Sequence, residues 1–220
     1  MIEQLVVGPM ATNAWIVPLP AEGARKKHCI LVDPGGDADI IIARLEALKL
    51  RPSLVVLTHG HFDHLQALGE VVEKYAQDDW TVDIAIHSGD IDHTGPKSQD
   101  THRRDFARVG GQAFIAQYWR DVPLATRQLA DGDPVGPFVV LSVPGHRPGC
   151  IALWDKKKKI LISGDCLFKR GVGRTDLPGG DERALRASLH RLLDLPAATL
   201  VLPGHGDTTT IGSEADWLGF

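Results

Sequence analysis

A chain of 220 residues with 43% hydrophobic and 24% charged side chains has the make-up of an ordinary globular protein, which excludes disordered, fibrous and collagen-like classes. Its formal net charge of -4 argues against a nucleic-acid partner, because polyanion binders carry a basic excess. No stretch approaches the ~20 apolar residues of a membrane span, and the opening MIEQLVVGPM lacks the basic and apolar blocks of an export signal, so the expectation is a single compact unit over 1–220, cytoplasmic and without a membrane partner.

In chain order, the apolar runs LVV (5–7), AWIV (14–17) and CILV (29–32) are separated by Gly and Pro and read as successive strands ending in the turn DPGG at 33–36. From Asp37 to Leu50 the period changes. Ile41, Leu45 and Leu48 fall on one helical face, with Asp37 or Asp39 as the expected cap. LVVL at 54–57 is a buried strand, and Leu65, Leu68 and Val72 mark a helix beyond it. The stretch 88–130, rich in Asp, His, Arg and Gly, reads either as a partly helical surface excursion or as an insertion bordering the active site. FVVLSV (138–143), CIALW (150–154) and ILIS (160–163) are three further strands, the last two joined by an exposed hairpin tip at KKKK, 156–159. Leu185, Leu189 and Leu192 line a helix behind Asp181, and TLVL (199–202) closes the series. Strands at both ends with helices between them imply an α/β arrangement of two sheets covered by helices.

The chemistry concentrates in THGHFDH at 58–64. His59 and His61 are two apart, so in an extended loop their imidazoles face one side, while Asp63 and His64 fall where the next helix begins. Three imidazoles and a carboxylate so close together are costly to desolvate unless a cation compensates them. PGH at 144–146, SGD at 163–165 and PGH at 203–205 each follow a strand and supply His146, Asp165 and His205, with a Gly before each candidate that permits a tight turn and a close backbone approach. Imidazole and carboxylate without thiolate suit Zn(II), with Fe(II) or Mn(II) as alternatives. Cys166, beside Asp165, projects elsewhere and is expected to pack, and with Cys29 and Cys150 it makes an odd number of thiols expected to stay reduced.

From VDPGG near 32 to PGHGD at 203–207 the chain resembles the metallo-β-lactamase superfamily, within it the glyoxalase II (hydroxyacylglutathione hydrolase) and persulfide dioxygenase branch. That resemblance implies a four-layer αβ/βα sandwich of two mixed β-sheets flanked by helices, with the metals at one edge. It also implies two ions: His59, His61 and His146 at the first, Asp63, His64 and His205 at the second, and Asp165 bridging both. Asp33 reads either as a hydrogen-bonding support for a ligand loop or as a plain turn residue of DPGG. The segment GDCLFKRGVGRTDLPGGD at 164–181 places Arg174 where relatives meet a glutathione carboxylate, a task suited to a guanidinium, whereas an alternative ties Arg174 to Asp176. The long glyoxalase II carries a further C-terminal helical domain, and has a tyrosine where Asp176 stands.

A metal-bridging hydroxide attacking a carbonyl makes a small-molecule acyl thioester the expected substrate, because a thiolate with a pKa near ~8.5 leaves without being protonated. Asp63 and Asp165 are the carboxylates expected to take part in catalysis, Asp63 as a proton carrier. The same motifs fit an iron-dependent persulfide dioxygenase or a lactonase or esterase of this fold. A β-lactamase is disfavoured because zinc β-lactamases usually lack the bridging Asp.

Overall fold

The computed structural model describes residues 1–20, 27–107 and 109–219; Arg108, inside the 88–130 stretch, and the terminal Phe220 lie outside the described residues. Strands β1 (Glu3–Val7), β2 (Thr12–Pro18), β3 (Lys27–Val32), β4 (Leu50–Val56), β5 (Asp83–His87) and β6 (Arg127–Leu129) lie in that order in one sheet. Its first pairings are antiparallel and those from β3 to β6 parallel. The second sheet, built from β7 (Pro134–Val135), β8 (Phe138–Ser142), β9 (Ile151–Asp155), β10 (Ile160–Gly164), β13 (Leu200–Pro203) and β14 (Thr209–Thr210), runs β14-β13-β10-β9-β8-β7. It is antiparallel except between β10 and β13. A two-stranded ribbon, β11 (Leu167–Phe168) with β12 (Gly171–Val172), follows β10.

The inner strands β2, β3, β9 and β10 are largely buried on both faces, which is why they read as continuous apolar runs rather than alternating ones. The pleat still sorts them. In β2 and β3, Trp15, Val17, Ile30 and Val32 face the second sheet and pack with Phe138, Leu153 and Ile162. Their neighbours Ala14, Ile16, Cys29 and Leu31 face the other way, onto helices α1 (Ala38–Ala47) and α2 (Leu68–Ala76) through Ile41, Leu45 and Val71. On the far side, Ala152, Leu161 and Val201 receive Leu185, Leu189 and Leu192 of α5 (Glu182–Leu193) and Ile211 of α6 (Ile211–Leu218). Three cores between four layers make the α/β sandwich of two mixed sheets flanked by helices that the sequence implies. No helix among the described residues is long and apolar enough to cross a membrane.

Two local expectations need revision. Asp37 is the N-cap residue of α1, but it sits in a left-handed conformation (φ 49°) and its carboxylate makes no cap bond to the helix. It accepts instead from the Gly8 N–H at 2.8 Å, anchoring the β1–β2 turn. Asp181, by contrast, caps α5 through the Ala184 N–H. The 88–130 stretch is partly helical, with α3 (Ser98–Ala107) and α4 (Gln112–Tyr118), yet Asp90, His93, His102 and Asp105 are buried, so it is more than a surface excursion. The four lysines form the exposed turn between the paired ends Asp155 and Ile160 of β9 and β10.

Candidate metal centre

All seven expected donors lie at one edge of the sandwich, in segments that follow strands: His59, His61, Asp63 and His64 after β4, His146 after β8, Asp165 after β10 and His205 after β13. The two sheets are tied together there: the Ile151 N–H donates to Thr58 O at 2.9 Å and the Asn13 N–H to Gly204 O at 2.7 Å, while the Gly204 N–H to Gly164 O bond, at 2.9 Å, extends the β10–β13 pairing within the second sheet. Glycines allow the close approach. A Cβ at Gly204 would stand 2.1 Å from Asp165 Oδ1, and Gly164 adopts a φ of 50° against the Thr58 side chain.

Three overlapping triads converge, each with ligand atoms within 4.8 Å of one another: His59, His61 and His146; Asp63, His64 and His205; and His59, His64 and Asp165. Asp165 thus reaches across from one triad to the other. Its Oδ2 is 3.7 Å from His146 Nε2 on one side and 3.5 Å from His205 Nε2 on the other. All these side chains except His205 are buried.

Neighbours fix the tautomers. His64 Nδ1–H donates to Asp33 Oδ2 at 3.0 Å, and Asp33 is itself held by the Thr58 N–H and hydroxyl, both at 2.7 Å. His146 Nδ1–H donates to Arg174 O at 2.7 Å. In their neutral forms both rings therefore direct Nε2 inward as a lone pair. Asp33 supports a ligand-bearing turn as the sequence suggests. Thr12, whose hydroxyl donates to Asp63 Oδ2 at 3.2 Å, and Asn13, whose side-chain amide donates to Pro203 O and Gly206 O, were not legible beforehand; a TN pair at a strand start carries no signal of its own.

Electrostatics divides the imidazoles. Burial, reinforced by the neighbouring rings, drives the pKa of His59 and His61 well below the usual histidine value, keeping both neutral. Burial also lowers His146. Burial would lower His64 too, but Asp165, Asp63 and Asp33 outweigh it and raise its pKa. For Asp63 and Asp165 burial works upward and His64 wins, holding both carboxyls below their ordinary range and ionised at neutral pH.

A fit test comes from the orphans. His59 Nε2, His64 Nε2 and Asp165 Oδ1 are buried without a well-formed hydrogen bond in the protein, the last two facing each other at 3.4 Å. Buried polar atoms are overwhelmingly paired, and three acceptor-capable atoms converging at one point fit a cation. Cys166 takes no part. It is fully buried among Val143, Leu161 and Leu167, and burial pushes its thiol up to about 12. Cys166→Ala should leave the metal content and turnover within about twofold of the parent while costing ~1 kcal/mol in urea unfolding, as a small lost core volume does.

Arg174 is half-exposed, and its guanidinium forks onto Asp176, with both contacts at 2.6 Å. The hydrogen bond from Arg174 pushes the exposed Asp176 carboxyl down to about 2. The tether to Asp176 anticipated as the alternative is therefore present.

This fold and this His/Asp cluster define a metal-binding hydrolase class. Residues 7–205 match the family described as the metallo-beta-lactamase superfamily, and the chain belongs to it. It is 34% identical to hydroxyacylglutathione hydrolase GloC of Haemophilus influenzae, covering 86% of this chain and 85% of that one. Among solved structures it resembles TTHA1623 in a di-iron-bound form, with 38% identity, a TM-score of 0.80 and coverage of 97% and 96%. It resembles the BLEG-1 B3 metallo-beta-lactamase with 33% identity, a TM-score of 0.78 and coverage of 98% and 97%.

Proposed function

We propose that this protein hydrolyses acyl thioesters, hydroxyacylglutathione or a related small molecule, with two cations held by His59, His61 and His146, by Asp63, His64 and His205, and by Asp165 between them. The observation that carries the reading is the convergence of three buried, unpartnered donor atoms from both sheets, His59 Nε2, His64 Nε2 and Asp165 Oδ1. Likeness to GloC supports the thioester over other acyl groups. Zinc is the first choice on donor chemistry, and the di-iron form of the TTHA1623 relative keeps iron beside it.

Bound at this cluster, divalent ions supply a hydroxide at neutral pH, by lowering the pKa of water to about 7, and a Lewis acid for a carbonyl oxygen. The chain's own groups do the rest. Asp165 spans the two triads and sets their separation. Asp33 and the Arg174 carbonyl hold His64 and His146 in the tautomers that present Nε2. Asp63, ionised and bonded to the Thr12 hydroxyl, is held as an anionic ligand beside the site where the hydroxide would form. No acid need serve the leaving group, because a thiolate departs unprotonated at neutral pH.

Arg174 would meet an anionic end of the substrate, and Asp176 competes for it. Arg174→Ala should therefore raise KM about tenfold with kcat changed less than threefold, whereas Asp176→Asn, which frees the fork, should lower KM; opposite signs in steady-state kinetics support this role, and unchanged KM in both rejects it.

The deciding experiment pairs elemental analysis of protein purified without added metal with assays on lactoylglutathione, a lactone, nitrocefin and glutathione persulfide. Two ions per chain and fastest turnover of the thioester is the expected result. One iron per chain with oxygen consumption on the persulfide, or faster cleavage of nitrocefin or the lactone, replaces the thioesterase reading.

A further inference from the structure

Beside the ligand triads lies a second buried polar cluster that the proposed reaction does not use. Its centre is Arg147, the residue after His146, with a side chain only 6% exposed. Arg147 Nη1 donates to Asp105 Oδ2 at 3.0 Å and to Pro178 O at 2.6 Å. Its Nη2 donates to Asp90 Oδ1 at 3.2 Å and stands 2.9 Å from His93 Nε2, which is itself 2.8 Å from Asp105 Oδ2. Charges buried this deeply carry a desolvation penalty that apolar side chains of the same volume would avoid, so stability alone is a poor account of them.

What the cluster joins gives a better account. Asp90 Oδ2 accepts from the Gly60 N–H at 2.8 Å, and Gly60 is the residue between His59 and His61. The fit is tight, since a Cβ at Gly60 would lie 2.5 Å from the His93 ring. On the opposite side, Arg147 is covalently joined to His146 and reaches Pro178, in the loop whose Arg174 carbonyl fixes the His146 ring. Asp105 lies on α3 next to Phe106, whose ring is 6.0 Å from that of His61. One guanidinium thus bridges the turn carrying His59 and His61, the turn carrying His146, the 88–107 stretch and the loop carrying Arg174.

We propose that Arg147 and Asp90 are positioning residues for the His59, His61 and His146 triad: the Arg147–Asp90 pair sets the distance between its two ligand turns, and the 88–107 stretch exists in this chain to hold that pair in place. The proposal rests on the triad holding a metal, and not on what the substrate is. It places no burden on the Asp63, His64 and His205 triad, whose supports are Thr12 and Asp33.

Selectivity between the two triads is the test. Zinc-free protein is titrated with zinc against a chromophoric chelator for the parent, Arg147→Lys, Asp90→Asn and Thr12→Val, and urea unfolding of the zinc-free forms is followed in parallel. Lys keeps the charge but cannot fork onto two carboxylates, and Asn keeps the shape of Asp90 without its charge. The parent should take up two ions in two resolvable steps. Arg147→Lys and Asp90→Asn should weaken one and the same step by about 10- to 100-fold and leave the other within about threefold, the usual scale for partners of metal ligands. Thr12→Val should weaken the other step. If Arg147→Lys does not fold, Asp90→Asn carries the comparison. Both steps unchanged, or both weakened equally in line with a lower urea midpoint, would overturn the proposal. A parent that binds no zinc, iron or manganese would overturn the metal reading with it, whereas a parent that binds two ions but spares thioesters would leave it standing.

Discussion

Asp165→Ala should lower kcat/KM on the thioester by at least about a thousandfold, or ~4 kcal/mol of transition-state stabilisation, and reduce the metal content from two ions per chain to one or fewer. The size follows from where the carboxylate stands. Among the described residues Asp165 is the single acidic group within about 4 Å of imidazoles from both triads, at 3.7 Å from His146, 3.5 Å from His205 and 3.4 Å from His64. Removing it takes away the carboxylate that would offset cations held by the two proposed triads, and leaves His64 with a lower affinity for positive charge of any kind, since Asp165 is the leading counterweight to its burial. His61→Ala should show a loss of similar size with one ion retained. Circular dichroism should show both variants folded, because neither side chain contributes to the three apolar cores. Turnover in Asp165→Ala within tenfold of the parent would mean that this carboxylate does not bridge.

Stripping the metals with a chelator should abolish turnover and lower Tm by roughly 10 °C, with both restored by added zinc. A ligand at a thousand times its Kd stabilises by ~4 kcal/mol, and a chain of this size shifts by ~2–4 °C per kcal/mol. The stripped form also keeps its buried orphan atoms, His59 Nε2, His64 Nε2 and Asp165 Oδ1, without a cation between them. A Tm unmoved by chelation, with the loss of metal verified, would show that the cluster is satisfied without ions.

Much of this centre was legible beforehand because its signals are dense and local. The pairing of His59 with His61, and of Asp63 with His64, sits within one turn, and each distant donor follows an apolar run and a glycine. The layers were legible for a related reason: Cys29 to Val32 and Leu161 to Ser163 are buried on both faces, so they read as uninterrupted strands. The 88–130 stretch resisted reading because charge density ordinarily signals solvent, whereas Asp90, His93 and Asp105 find their partners inside the protein, across 42 to 57 positions of sequence to Arg147. Arg147 itself hid in the shadow of the adjacent His146. Strand β5, with only five residues and polar ends at Asp83 and His87, gave too short a run, and Asp37, though it stands at the N-cap of α1, gives its carboxylate to the Gly8 N–H rather than to the helix, a bond nothing in its neighbourhood announces.

The hairpin tip at Lys156 to Lys159 closes β9 and β10 at the end opposite Asp165, which lies six residues beyond Lys159, or about 20 Å along the strand at ~3.3 Å per residue. Its four primary amines are exposed and grouped, so amine-reactive supports would capture the protein preferentially by this corner and leave the edge that carries the His/Asp cluster facing the bulk liquid. The same corner is where a fluorophore or a spliced affinity peptide would least disturb turnover.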